Sequence, residues 1–178
     1  RDRSVSRGLG DVYKRQDFAY ESLLKDNDGI IVLCYHRVLK DTVVTNFAYS
    51  ISHNSQLHEY NVFLQDFEQQ MTFLKKNHIK VLTSSELIEK LNKKEVIGKA
   101  VVVTFDDIDK SLPENAYPIM KKLDLPFTQF IITGKVGQII DGSQMSTWKE
   151  IKKMNENPLV TSGLHTNDLH YQENFEPI

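Results

Sequence analysis

Three short polar groups stand where apolar runs stop. Thr104-Phe105-Asp106-Asp107 closes the run that begins at Lys99. His165-Thr166-Asn167-Asp168-Leu169-His170 follows Leu159–Leu164, and Tyr35-His36-Arg37 follows Ile30–Cys34. Adjacent carboxylates at the end of an apolar strand are costly unless something compensates them, and a bound cation is one compensation. One carboxylate and two imidazoles, with a position left open for water, make a catalytic zinc-type centre. The same set matches the facial triad of non-haem iron oxygenases. The zinc-type reading predicts hydrolysis. The cation would lower the pKa of a bound water towards about 7 and polarise a carbonyl oxygen, with the second carboxylate as general base.

Spacing restricts how these groups can meet. Consecutive strand residues face opposite sides, so Asp106 and Asp107 can address one site only where the chain starts to turn. Five residues along a helix put side chains about 140° apart. His165 and His170 can therefore share an ion only if the segment between them curls, and Asn167 and Asp168 suit a turn. Each group also has a plainer reading. Asp106-Asp107 alone fits a cap or turn. His36 and Cys34, taken alone, read as core residues of an apolar strand. His53 and His58 read as solvated loop residues, and His78 as an imidazole beside the carbonyls of a helix end. Trp148 reads as helix packing. The lysine pairs at 75–76, 93–94, 121–122 and 152–153 read as solvated charge at helix ends.

The elements that must position these residues follow from periodicity. Ile30–Cys34 reads as a buried strand after the Asp28-Gly29 turn signal. Residues 40–60 read as a long loop. Phe63, Phe67, Met71 and Leu74 recur at helical spacing, which predicts an amphipathic helix to about Asn77. Lys80–Leu82 is a brief strand. Thr83 and Glu86 form a capping box for a helix to about Lys93. Lys99–Phe105 is β-branched and apolar on both faces, as in a parallel sheet covered on both sides. Ser111 and Glu114, with Pro113 in the first turn, predict a second box and a helix to about Leu123. Phe127–Thr133 is the next strand. Thr147 and Glu150 open a helix to about Met154, and Leu159–Leu164 is the last strand. Regular alternation argues for an α/β fold with a parallel sheet, either doubly wound or a (β/α) barrel. In both, a site lies at the carboxyl ends of the strands.

Composition narrows the class. The chain has 178 residues, 40% hydrophobic and 26% charged, which suits one domain with a real core. The formal charge of −2 gives no sign of a nucleic-acid partner. Neither G-x-G-x-x-G nor a P-loop is present. The single cysteine excludes a disulfide within the chain. Residues 1–16 differ in style, with five basic and two acidic residues and no apolar period. They resemble translated adaptor sequence and are expected to be a non-native or disordered leader, so the fold is read from 17–178.

Val102-Val-Thr-Phe-Asp-Asp107 and His165-Thr-Asn-Asp-Leu-His170 resemble the first two motifs of the NodB-homology polysaccharide deacetylases. The likeness extends over about 28–172, including Tyr35-His36, the Phe-x3-Met-x2-Leu helix and Phe130-Ile-Ile-Thr-Gly134. It is greatest to the biofilm branch, the IcaB-like enzymes that partly deacetylate poly-β-1,6-N-acetylglucosamine.

The resemblance implies a distorted (β/α) barrel, incomplete here at its C-terminus, and one divalent metal ion, usually zinc. It makes Asp107, His165 and His170 the metal ligands and Asp106 the general base. It makes His36 the general acid, against its plainer reading, and has Thr166 orient the turn with its hydroxyl. Most of the family has Gly-Tyr after the double aspartate, where this chain has Ile108-Asp109. The family's supporting arginine motif and remaining strands are expected beyond Ile178, so the segment alone need not be active. The implied enzyme is a monomeric polysaccharide N-deacetylase, extracellular or at the cell surface, possible partners being the membrane or wall as well as the glycan. Alternatives are a chitin or peptidoglycan deacetylase and an inactive glycan-binding barrel. Non-haem iron oxygenation fits the ligands but not the alternating helices.

Overall fold

The computed structural model describes residues 29–42, 60–95, 97–140, 142–168, 172–173 and 176–177. The leader expected at 1–16, most of the loop at 40–60 with His53 and His58, and His170 lie outside them.

The main sheet is parallel throughout. It is built from β1 (Gly29–Tyr35), β4 (Lys80–Leu82), β5 (Lys99–Asp107), β6 (Phe127–Ile131) and β9 (Val160–Leu164). β5 is the hub. β1 runs along one of its edges in the register Cys34↔Thr104 and Tyr35↔Phe105. The other edge is shared, with β4 beside Ala100–Val102 and β6 beside Thr104–Asp107. β9 then pairs with β6, Ile131 opposite Leu164. Parallel pairing carries the ends of β1, β5, β6 and β9 to one rim, where the sequence places its polar groups. Two short strands, β2 (Arg37–Leu39) and β3 (Asn61–Phe63), form a separate parallel pair after β1. β7 (Ile139–Ile140) and β8 (Ser143–Gln144) form a small antiparallel hairpin.

The helices are α1 (Leu64–Lys76), α2 (Ser84–Asn92), α3 (Tyr117–Leu123) and α4 (Trp148–Asn155). α2 and α4 begin with the expected capping boxes. Thr83 and Thr147 accept from the backbone N–H of Glu86 and Glu150, whose carboxylates accept in return. None of the described helices is long and apolar enough to cross a membrane.

Alternation along β5 sorts its side chains into two layers. Val101, Val103 and Phe105 enter the large core with Phe67, Met71 and Leu74 of α1 and Ile151 and Met154 of α4. Ala100 and Val102 join a smaller cluster with Leu82 and Leu87. This second face becomes polar at Thr104 and Asp106, which is where a site can form.

Three expectations are corrected. The box at Ser111 does not form. Its Oγ accepts from Val38 N (2.9 Å) instead, and residues 112–116 make a wide π-type turn before α3. The strand expected to reach Thr133 ends at Ile131, and Thr133–Lys135 is a 3-10 turn. Trp148 is about half exposed at the start of α4 rather than packed within it.

Phe130 and Gly163 are register partners on β6 and β9, and the Phe130 ring lies over the glycine. A methyl group at 163 would fall 2.6 Å from Phe130 Cε1. Gly163→Ala is therefore expected to destabilise the fold by about 1–3 kcal/mol through overpacking. Chemical denaturation checks this, and an unchanged midpoint would mean that the ring swings aside freely.

Candidate metal centre

Tyr35 sets the direction of the β1 end. Its ring meets Phe67 edge-on (centroids 5.1 Å) and stacks on Phe105 (5.6 Å), and its hydroxyl donates to Gln70 Oε1 at 2.6 Å. With Tyr35 held on the α1 side, alternation sends Cys34 to the opposite face, beside Thr104 in register. Cys34, His36 and Asp106 meet there, with one potential ligand atom from each lying within 4.8 Å of the others. The His36 ring rests against Tyr60, with centroids 4.8 Å apart.

Asp107 should face the α1 side with Phe105. It does not, because the backbone turns at that residue. Asp107 has φ +66° and Ile108 φ +59°, and Ile108 N donates to Asp106 O at 2.8 Å. Left-handed backbone at a β-branched residue costs about 1–3 kcal/mol. Two features hold it. The Ile108 side chain is buried in the large core, and its carbonyl accepts from Ser146 N at 2.9 Å. Where most of the resembled family has glycine, this chain has an isoleucine, held in the left-handed region by packing.

The third element is the segment after β9. His165 N donates to Ile131 O (3.0 Å), Thr133 N to Thr166 O (3.1 Å) and Gly134 N to Asn167 O (2.9 Å). Thr133 Oγ1 also donates to Asn167 Oδ1 at 2.9 Å. The chain after β9 is thus clamped to the end of β6. The carbonyl of Thr166, rather than its hydroxyl, takes part in this clamp, and Thr166 Oγ1 is buried without a hydrogen-bond partner. Asp168 pairs with Lys135 at 2.5 Å.

These elements place His165 Nε2 at 3.7 Å from Asp106 Oδ2 and 3.8 Å from Asp107 Oδ1. Both separations are long for hydrogen bonds. They are close to the roughly 3.4 Å expected between two donors on one tetrahedral ion. The carboxylates are 21% and 22% exposed, so their mutual repulsion is only partly screened by water. Asp106 Oδ1 is buried and accepts no hydrogen bond. Two clustered carboxylates, one with an orphaned oxygen, and an imidazole fit a divalent cation. Four of the five predicted site residues, Asp106, Asp107, His165 and His36, converge on this rim. The fifth, His170, is outside the described residues.

Cys34 is a correction. It is exposed at the rim rather than buried in the core. Partial desolvation, aided by the charges of Asp106 and Asp107, pushes its thiol pKa up, against a hydrogen bond with Thr104. Sequence reasoning missed it for want of the register, since the apolar run hides which alternate positions face the rim. Tyr60 was also missed, lying at the far end of a segment read only as loop.

Residues 93–177 match the model of the polysaccharide deacetylase family. The chain is 39% identical over 147 residues to the poly-beta-1,6-N-acetyl-D-glucosamine N-deacetylase of Staphylococcus aureus strain MSSA476, covering 82% of this chain and 50% of that protein. Identity to the enzyme of the same name from Staphylococcus epidermidis is 31%, over 84% of this chain and 52% of that one. Among solved structures, IcaB from Ammonifex degensii superposes with a TM-score of 0.70 at 36% identity, covering 84% of this chain and 57% of the other. The chain spans about half the length of the named relatives it matches. The parallel α/β architecture is that of a partial deacetylase barrel.

Gly134 is the tightest point of the clamp, because a methyl there would lie 2.5 Å from Asn167 O. Gly134→Ala is expected to displace residues 165–167 and weaken divalent-cation binding by at least about tenfold, the scale for losing an outer support of a metal site. Calorimetric titration of the 178-residue chain with Zn2+ checks this. Equal affinity in the variant would show that His165 is positioned without the clamp.

Proposed function

We propose that this chain, which belongs to the polysaccharide deacetylase family, carries active-site residues of an enzyme that removes N-acetyl groups from poly-β-1,6-N-acetylglucosamine. The observation that carries the reading is the convergence of Asp106 and Asp107 on His165 at 3.7 and 3.8 Å. The names of the relatives supply the substrate class.

In this reading Asp107, His165 and His170 hold one divalent cation, zinc by preference for their nitrogen and oxygen donors. When bound, it supplies Lewis-acid polarisation of the acetamide carbonyl and a more acidic water. The rest is done by the chain. Asp106, with its free Oδ1, takes a proton from the attacking water. His36 faces Asp106 across the site and gives a proton to the amide nitrogen as the C–N bond breaks. Tyr60 backs the His36 ring and limits its rotation. Acetate leaves, and the glucosamine unit gains a positive charge. A glycan made partly cationic in this way adheres to anionic surfaces, which suits an enzyme acting at or outside the cell surface as a monomer.

Asp106→Asn is expected to retain the cation and to lower acetate release from β-1,6-linked N-acetylglucosamine oligomers by about 10²–10⁴-fold, the usual scale for general base catalysis. Asp107→Ala is expected to lose the cation. Equilibrium dialysis and acetate assays on the enzyme carrying this segment separate the two. Equal metal loss in both variants would overturn the division of roles, and faster turnover of β-1,4-linked oligomers would move the substrate to chitin-like chains.

A further inference from the structure

We infer that Cys34, His36 and Asp106 form a second cation site, selective for thiophilic metals, that adjoins the Asp107/His165 centre at Asp106. Their ligand atoms lie within 4.8 Å of one another. The donor atoms of a tetrahedral sulfur–nitrogen–oxygen site are about 3.4–3.7 Å apart, so rotamer adjustments of about 1 Å suffice to close on an ion. The backbone is already arranged for it. Cys34 and Thr104 are register partners across β1 and β5, and Asp106 is two residues on, so it faces the same side. Cys34 is open to solvent, which gives an ion a path to the sulfur. The Asp106 carboxylate brings an oxygen that is buried and accepts no hydrogen bond.

Ligand softness sets the selectivity. A thiolate with one imidazole and one carboxylate favours soft ions, whereas the Asp107/His165 set has no sulfur. Asp106 lies between the two sets, 3.7 Å from His165 on one side and within 4.8 Å of Cys34 and His36 on the other. An ion held on the Cys34 side would occupy both the base and the acid of the reaction proposed above. That blocking effect rests on the proposed roles. The binding itself rests on the geometry alone.

Cys34 is the only cysteine in the chain, so a thiolate-to-metal charge-transfer band reports on this residue without interference. The probe is Cd2+ titrated into the 178-residue chain, followed by ultraviolet absorption. The band is expected to saturate with one Cd2+ at the thiolate, beyond any taken up without a band by the sulfur-free Asp107/His165 centre, and to vanish in Cys34→Ser. His36→Ala and Asp106→Asn should each raise half-saturation by at least about tenfold. His165→Ala should leave it where it was. Far-UV circular dichroism verifies that each variant folds, with His36→Gln in reserve for His36→Ala. Equal half-saturation in the parent, His36→Ala and Asp106→Asn would mean that the thiol binds alone, and would overturn the proposal. A shift in His165→Ala as large as that in His36→Ala would overturn it too, by assigning the ion to the other centre. Failure of the deacetylase reading would leave these shifts untouched.

Discussion

Two negative charges on neighbouring residues, at the end of the longest strand of the sheet, are the constraint to which the rest of the rim answers. Ala100 to Phe105 are all buried, and the strand continues without a break into Asp106 and Asp107. Water screens that pair only in part, so the fold must bring compensating chemistry to it. It brings His36 from the neighbouring β1 and His165 from β9, one strand further on beyond β6, each delivered by the end of a parallel strand. The parallel sheet is what makes such convergence possible, because every strand that reaches the rim ends there.

Positioning is then a matter of direction as well as proximity. A regular strand would separate the two carboxylates to opposite faces. The left-handed backbone at Asp107 and Ile108 overrides that alternation, and the local cost is offset by burying the Ile108 side chain. On the other side of the rim, three backbone hydrogen bonds, one accepted by Ile131 and two donated by Thr133 and Gly134, fix the segment that carries His165. Neither device contributes a reacting group. Both decide where the reacting groups lie.

Much of this was legible in the sequence, and the reason is periodicity. The run 99–105 fits a strand covered on both faces, and Thr83 with Glu86 and Thr147 with Glu150 mark helix starts by a local reciprocal bond. The demand that Asp106-Asp107 lie at a turn followed from strand alternation, and the structure meets it with positive φ values. What could not be read depends on partners distant in the chain. Ser111 and Glu114 have the spacing of a capping box, but Val38 N claims the serine hydroxyl from 73 residues away. Cys34 looks apolar in its own run, and only the register with Thr104 puts it at the rim. Thr133 looks like strand until its N–H is needed to hold Thr166.

The link from Ile108 O to Ser146 N ties the carboxylate turn to the segment leading out of the β7–β8 hairpin. Lys110 N to Gln144 O reinforces it at 2.8 Å. A turn held out of its preferred conformation relaxes when its restraint lets go. Fraying of that small hairpin would therefore remove one of the two restraints that keep Asp107 aimed at His165, leaving only the burial of Ile108. A hairpin that supplies none of the clustered carboxylates or imidazoles thus helps to hold the backbone that directs them.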